Sequence, residues 1–375
     1  MPIKFQRIRF LLITICLLAA ILGVAINVLA GLSQTAEAQE PQDQTVSIKA
    51  SRAERLAALE MWTREARAAA QPLPFPVGSV DELMQDSAEE LSGEPGSAEG
   101  GLPHPKADRR ARRQYPEEWE VLLNELDVED SLDTVEALGT AGKYTSYLGN
   151  RYKQMYQQFP FRGVGKLYIT SGGYCSASVI SPNNIIVTAA HCVYDTDTNT
   201  WLSGWTFVPA DRKGVAPYGT FPWVSARVLT AWINAGSSTA GRRYDVALIR
   251  LGNNSAGNPV TFYTGWLGRS WDYGYTQHLH AIGYPGNLKS GKFTYICAAE
   301  SFKQATDILG MGCNMMHGSS GGPWERVFQP YASGANNYVN SVVSGGLSGP
   351  TWGNTFYGAR FSSKNIVKLC DAEGC

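Results

Sequence analysis

The stretch "NIIVTAAHC", residues 184–192, is a short apolar run rich in β-branched residues that ends on a histidine and a cysteine. Its length and its Ile, Val and Thr content read as a buried strand. Runs of the same kind recur from about residue 160 onward: "VGKLYIT", "CSASVI", "GWTFVPA", "WVSARVLTAWI", "DVALIRL", "HLHAIGY", "FTYICAAES" and "NSVVSGG". Gly, Asn, Pro and Ser separate them. Such spacing predicts an all-β sandwich or barrel, not an alternating βαβ sheet. No fixed-period repeat is present, and one short helix is expected near 362–369.

Three of these regions deliver one polar residue each. His191 follows the first run and is held by the adjacent Cys192, Asp245 opens "DVALIRL", and Ser320 sits in "CNMMHGSSGGPW", residues 313–324. A serine hydroxyl attacks poorly until a base takes its proton, which a neutral imidazole does near neutral pH. The imidazole needs a buried carboxylate to fix its tautomer. Glycines beside the serine permit the unusual turn that aims backbone N–H groups at a developing oxyanion. Taken singly, each feature has an ordinary reading: a core histidine, a turn aspartate, a glycine-rich linker. Their order His, Asp, Ser along an all-β chain is specific.

"TAAHC", "YDVALIRL" and "GSSGGP" resemble the three motifs of the chymotrypsin-like (trypsin-fold) serine proteases. "CSASVIS" and "MGCNMMHGSSGGPW" are similar to the secreted bacterial branch that includes the V8-like glutamyl endopeptidases. The resemblance spans roughly residues 160–368 and implies two antiparallel six-stranded Greek-key barrels with the site in the cleft between them. It implies His191 as base, Asp245 as its orienter and Ser320 as nucleophile. Gly318 and Ser320 would supply the oxyanion-hole amides. Ser344, Gly345 and Gly346 correspond to the strand that lines the primary pocket, and Cys175–Cys192 to the disulfide clamping the histidine loop.

Two departures stand out. Ser319 replaces the acid that, in animal digestive enzymes, pairs with a newly cut N-terminus, so activation must work otherwise. Asn314 replaces the acid that Arg or Lys specificity needs. The pocket-wall strand lacks the histidine of glutamyl-specific relatives, Met315 sits near the floor, and His317 stands at the rim.

The N-terminus reads as a targeting segment, with Lys4, Arg7 and Arg9 ahead of an apolar run from Phe10 to Ala30 and a cleavage pattern ending at Ala38. Retained, the run would anchor the chain in a membrane. Cys16 lies within it. Cys175, Cys192, Cys297, Cys313, Cys370 and Cys375 follow. Six cysteines allow fifteen pairings, of which sequence neighbours are the simplest. No C-x-x-C pair suggests zinc, and neither metal nor cofactor is expected.

Residues 39–142 carry 10 Lys/Arg against 22 Asp/Glu, whereas residues 143–375 carry 19 against 10. Opposite charge on two parts suggests attraction, as between a prosegment and its protease domain. The net charge of −1 argues against a dedicated nucleic-acid binder. A helix is expected over 51–70, stopped by "PLPFP", then a linker over 77–108, an exposed dibasic run "RRARR" at 109–113, and a helix over 116–138. The expected organisation is signal 1–38, prosegment 39–142 and protease domain 143–375. The expected function is a secreted serine endopeptidase acting on proteins or peptides, with its own prosegment as partner. A catalytically silent binding or adhesion module is the alternative. Asn253 opens an N-x-S sequon.

Overall fold

In the computed structural model, residues 44–79, 81, 83, 90, 93–124, 143–149, 155–330, 336–348 and 352–375 are described. The expected signal, and the expected helix beyond residue 124, lie outside them.

Six strands form the barrel of the first sheet: β1 (Val164–Ile169), β2 (Gly173–Ser181), β3 (Ile185–Thr188), β4 (Thr206–Pro209), β5 (Phe221–Leu229) and β6 (Ala247–Leu251); Thr45–Lys49 pairs onto β5 and Gln71–Pro72 onto β2. They pair antiparallel in the order β5-β4-β1-β2-β3-β6, and β5 pairs with β6 to close a barrel. Alternation is hidden in the sequence because both strand faces are buried. Leu167 and Ile169 of β1 join one apolar cluster with Phe207, Trp223 and Ile249. Val164 and Tyr168, on the opposite face, join another with Ile282 and Val342 of the second sheet. "WVSARVLTAWI" is not one strand: β5 ends at Leu229 and Thr230–Ala235 is a helix that buries Trp232.

The second sheet holds β7 (His278–Gly283), β8 (Tyr295–Glu300), β9 (Phe302–Ala305), β10 (Ile308–Gly312), β11 (Pro323–Arg326), β12 (Tyr338–Leu347) and β13 (Thr355–Ala359). Its order is β9-β10-β13-β12-β11-β7-β8, with Tyr144–Leu148 outside β8. One of the two expected barrels therefore closes, and the other is a curled sheet whose described hydrogen bonds leave it open. The Cys297–Cys313 disulfide ties β8 to the end of β10 across that opening. Cys175–Cys192 and Cys370–Cys375 also form, so the three sequence-neighbour pairings are the ones adopted.

The expected helix over 51–70 is two helices, α1 (Arg52–Met61) and α2 (Arg64–Ala69). Ser51 and Glu54 make the capping box of α1, while Thr63 caps α2. Trp62 marks the break; it is buried against Tyr168, ring centroids 4.7 Å apart. Burial of one large ring outweighs the backbone bonds lost at a break. The expected linker also carries structure. Val77–Gly78 pairs with Gly346–Leu347, and Gly96–Ala98 pairs with Arg269–Trp271. Helices α3 (Ala107–Gln114) and α4 (Pro116–Asn124) follow. The dibasic run is thus helical and docked, with Ala107 and Ala111 buried. Asp108 meets Arg162 at 2.8 Å and Glu90 meets Lys303 at 2.9 Å, acid from the first part on base from the second. Residues 45–375 form one compact unit.

The closing helix appears as a π-helical turn, Ser363–Val367, running into Lys368–Glu373 and ending at Gly374 in the left-handed region. Buried Glu373 receives Ser225 Oγ and Arg227 Nε, which fastens this terminus to β5.

Candidate active site

His191 occupies the one-turn 3₁₀ helix Ala190–Cys192 just past β3. The Cys175–Cys192 disulfide ties that turn to β2. Asp245 lies just before β6, after a helical turn capped by Ser238. The two side chains meet, with His191 Nδ1 2.8 Å from Asp245 Oδ2. The His191 amide donates to Asp245 Oδ1 at 2.9 Å, and Ser344 Oγ donates to Oδ2. A carboxylate only 1% exposed with three donors around it is a fixed acceptor. It holds the Nδ1 proton and leaves Nε2 free to accept.

Ser320 lies between β10 and β11 in a turn that needs its glycines. Gly318 has φ +85° and Gly321 φ +79°. A Cβ on Gly318 would stand 2.6 Å from Tyr174 Cε2 and 2.7 Å from the Tyr284 carbonyl. One on Gly321 would stand 2.0 Å from Thr188 Oγ1. Ser176, a residue that sequence reasoning missed, braces the turn. Its Oγ donates to the Gly318 carbonyl at 2.9 Å and accepts from the Tyr284 amide at 3.0 Å, while its own amide donates to the Ser320 carbonyl at 2.8 Å. Small hydroxyls among the apolar residues of "CSASVI" were the only hint. Ser319, at the position of the missing acid, donates from Oγ to the Met316 carbonyl at 2.6 Å, so a neutral bond closes the turn.

Two atoms stay uncommitted. Ser320 Oγ and His191 Nε2 are both buried and have no hydrogen-bond partner among the described residues. His191, Asp245 and Ser344 line one cleft of about 430 Å³ together with Trp232, Leu73 and Pro76.

The expected pocket residues divide. Met315 is 1% exposed and joins Val343 and Phe356 in an apolar cluster. Asn314 is occupied by structure: its carbonyl accepts from Asn287 Nδ2 at 2.8 Å and its amide oxygen lies 3.7 Å from Cys297 Sγ. His317 Nδ1 accepts from the Phe75 amide at 2.9 Å, so this rim residue faces the N-terminal segment. Gly345 and Gly346 lie against that segment too, the Gly346 amide donating to the Pro76 carbonyl at 2.9 Å.

The model of the Trypsin family matches residues 149–363, more than half of the chain. The chain belongs to the trypsin family. An extracellular metalloprotease of Bacillus subtilis is 35% identical over 204 residues, covering 51% of this chain and 58% of that protein. A glutamyl endopeptidase of Bacillus licheniformis is 28% identical over 191 residues, covering 48% and 52%. The chain thus spans little more than half the length of the curated relatives it matches. A solved Glu endopeptidase in complex with MPD superposes with TM-score 0.50 at 19% identity, covering 63% of this chain and 99% of that one, a likeness of fold. The name metalloprotease belongs to the Bacillus subtilis protein. Here Cys175, His191 and Cys192 bring three ligand-type atoms within 4.8 Å of one another, but both sulfurs are in a disulfide and supply no thiolate.

Proposed function

We propose that this trypsin-family chain is a serine endopeptidase that cuts protein or peptide substrates through an acyl-enzyme. Ser320 Oγ attacks the carbonyl while His191 Nε2 takes its proton, and Asp245 stabilises the imidazolium. The amides of Gly318 and Ser320 receive the oxyanion. His191 then returns the proton to the leaving amine, and water repeats the sequence to free the acid. The His191–Asp245 contact, together with a Ser320 hydroxyl and a His191 Nε2 that no described residue engages, carries the reading. It also favours an enzyme over a silent binding module, because no triad position is lost.

The precursor organisation belongs to the same proposal: a signal over 1–38, a prosegment over 39–142 and an extracellular protease domain over 143–375. The anchored form differs only in keeping the apolar N-terminus, which N-terminal sequencing of the mature chain distinguishes. A fluorophosphonate probe should label Ser320 in folded, processed protein, and Ser320→Ala should abolish labelling. A folded, processed protein that stays unlabelled contradicts the assignment.

A further inference from the structure

Residues 71–78, "QPLPFPVG", leave α2 and run along the cleft that holds His191, Asp245 and Ser344, lining it with Leu73, Pro74 and Pro76. Gln71 and Pro72 pair in parallel with Gly173 and Tyr174 of β2. Val77 and Gly78 pair in parallel with Gly346 and Leu347 of β12. Between them the backbone stays bonded to the protease unit. The Gln71, Leu73 and Phe75 amides donate to Gly172 O at 3.4 Å, Tyr174 O at 3.0 Å and His317 Nδ1 at 2.9 Å. Residues 72, 74 and 76 are prolines and have no amide to place. Each proline also holds the residue before it extended, so the segment is stiff before it docks and loses little entropy on docking.

Phe75 is the anchor. It is 5% exposed and joins the apolar cluster of Met315, Val343 and Phe356. A Cβ on Gly346 would come within 2.6 Å of its Cε1, so the ring takes the space that a side chain there would fill.

Direction decides what this contact does. On the proposed mechanism, an acyl donor with its side chain beside Ser344–Gly346 would have its preceding residues along that strand and its leaving amine toward His191 and the Cys175–Cys192 side. A substrate therefore runs from β12 toward β2. Residues 71–78 run from β2 toward β12, with carbonyl and amide exchanged relative to a cleavable peptide.

The geometry points to residues 71–78 as a built-in inhibitor that lies across the active site against the substrate's direction, with Phe75 marking a primary pocket that selects large apolar or aromatic side chains. This rests on the protease reading and adds the occupant and the preference. The buried walls Met315 and Val343 offer no charge for a glutamate or an arginine.

The test uses the full chain and a fluorophosphonate probe. Phe75→Asp puts a charge into an apolar pocket and should displace the segment, raising Ser320 labelling at least ~10-fold over wild type; Phe75→Leu should stay blocked. Near-UV circular dichroism identifies any variant that fails to fold. In the Phe75→Asp chain, chromogenic peptides with Phe or Leu before the scissile bond should be cut at least ~10-fold faster than those with Glu or Arg. Acetyl-QPLPFPVG-amide, added in trans, should suppress labelling and be recovered intact by mass spectrometry. Equal labelling of folded wild type and Phe75→Asp overturns the inhibitor and leaves the protease standing. Cleavage of the peptide overturns the reversed direction, and faster cutting after Glu or Arg overturns the pocket. No labelling in any variant overturns the protease reading and this inference with it.

Discussion

Replacing Asp245 by Asn keeps the shape of the site and removes one charge. Asp245 Oδ2 stands 2.8 Å from His191 Nδ1, and the carboxylate is almost wholly buried. When His191 takes the Ser320 proton, the two charge centres are about 4 Å apart, worth about 4 kcal/mol at an effective dielectric of about 20. That corresponds to roughly 10³-fold in rate. A second effect acts in the same direction. An amide NH₂ turned toward Nδ1 pins the imidazole proton on Nε2, the atom that must accept from Ser320, which carries the loss toward ~10⁴-fold. The bond from the His191 amide can persist, so the fold should hold. The assay compares kcat and KM of wild type and Asp245→Asn on one peptide substrate, together with their fluorophosphonate labelling rates. Residues 71–78 cover both chains alike, so the ratio is insensitive to occlusion. The fall should lie in kcat, with KM nearly unchanged, because Asp245 acts through His191. A loss under ~10-fold in a folded variant would refute the role given to this carboxylate.

Two further expectations concern regions away from the chemistry. Glu325 is fully buried on β11 with neither carboxyl oxygen partnered among the described residues, and burial raises its pKa to about 8. The folded state then holds a proton that the unfolded chain releases near 4.5, so this stabilisation is complete below that pH and is lost as pH rises to about 8. Its size is on the order of 5 kcal/mol at most. His280 is pushed down to about 4, by burial first and then by His278, so its contribution varies only in acid. Urea midpoints between about pH 7 and pH 9 should therefore fall in wild type and stay flat in Glu325→Gln; parallel curves would oppose the assignment. The run "RRARR" sits in α3, where Arg110 lies over Phe262 at 5.2 Å and Arg112 over Trp119 at 4.6 Å. Proteases bind extended backbone, so an Arg-specific protease should spare 109–113 in the native chain and cut it at a rate that follows unfolding. Rapid native cleavage there, read by N-terminal sequencing, would contradict the docked helix.

The sequence by itself determined the all-β class and the three candidate catalytic positions. Strand ends, β-branched runs and glycine turns are local properties: His191 follows such a run, Asp245 precedes one, and Ser320 sits in a glycine turn between two. Neighbour pairing made the three disulfides legible for the same reason. Segments whose conformation depends on distant partners were not legible. "TAWI" continues an apolar run yet coils, because Trp232 finds a burial site beside Tyr194, to whose carbonyl its Nε1 donates. Trp62 breaks a sequence of good helix formers because Tyr168, more than a hundred residues away, offers its ring a place. Among the described residues the second sheet stays open, because closure depends on hydrogen bonds between strands, which no pattern of residue types records. "PLPFP" read correctly as the end of a helix, since proline acts on its own backbone. That the same prolines leave three amides free to bond across the cleft, with Phe75 in the pocket beneath Gly346, depended on where the chain went next. Only the tertiary structure decided that.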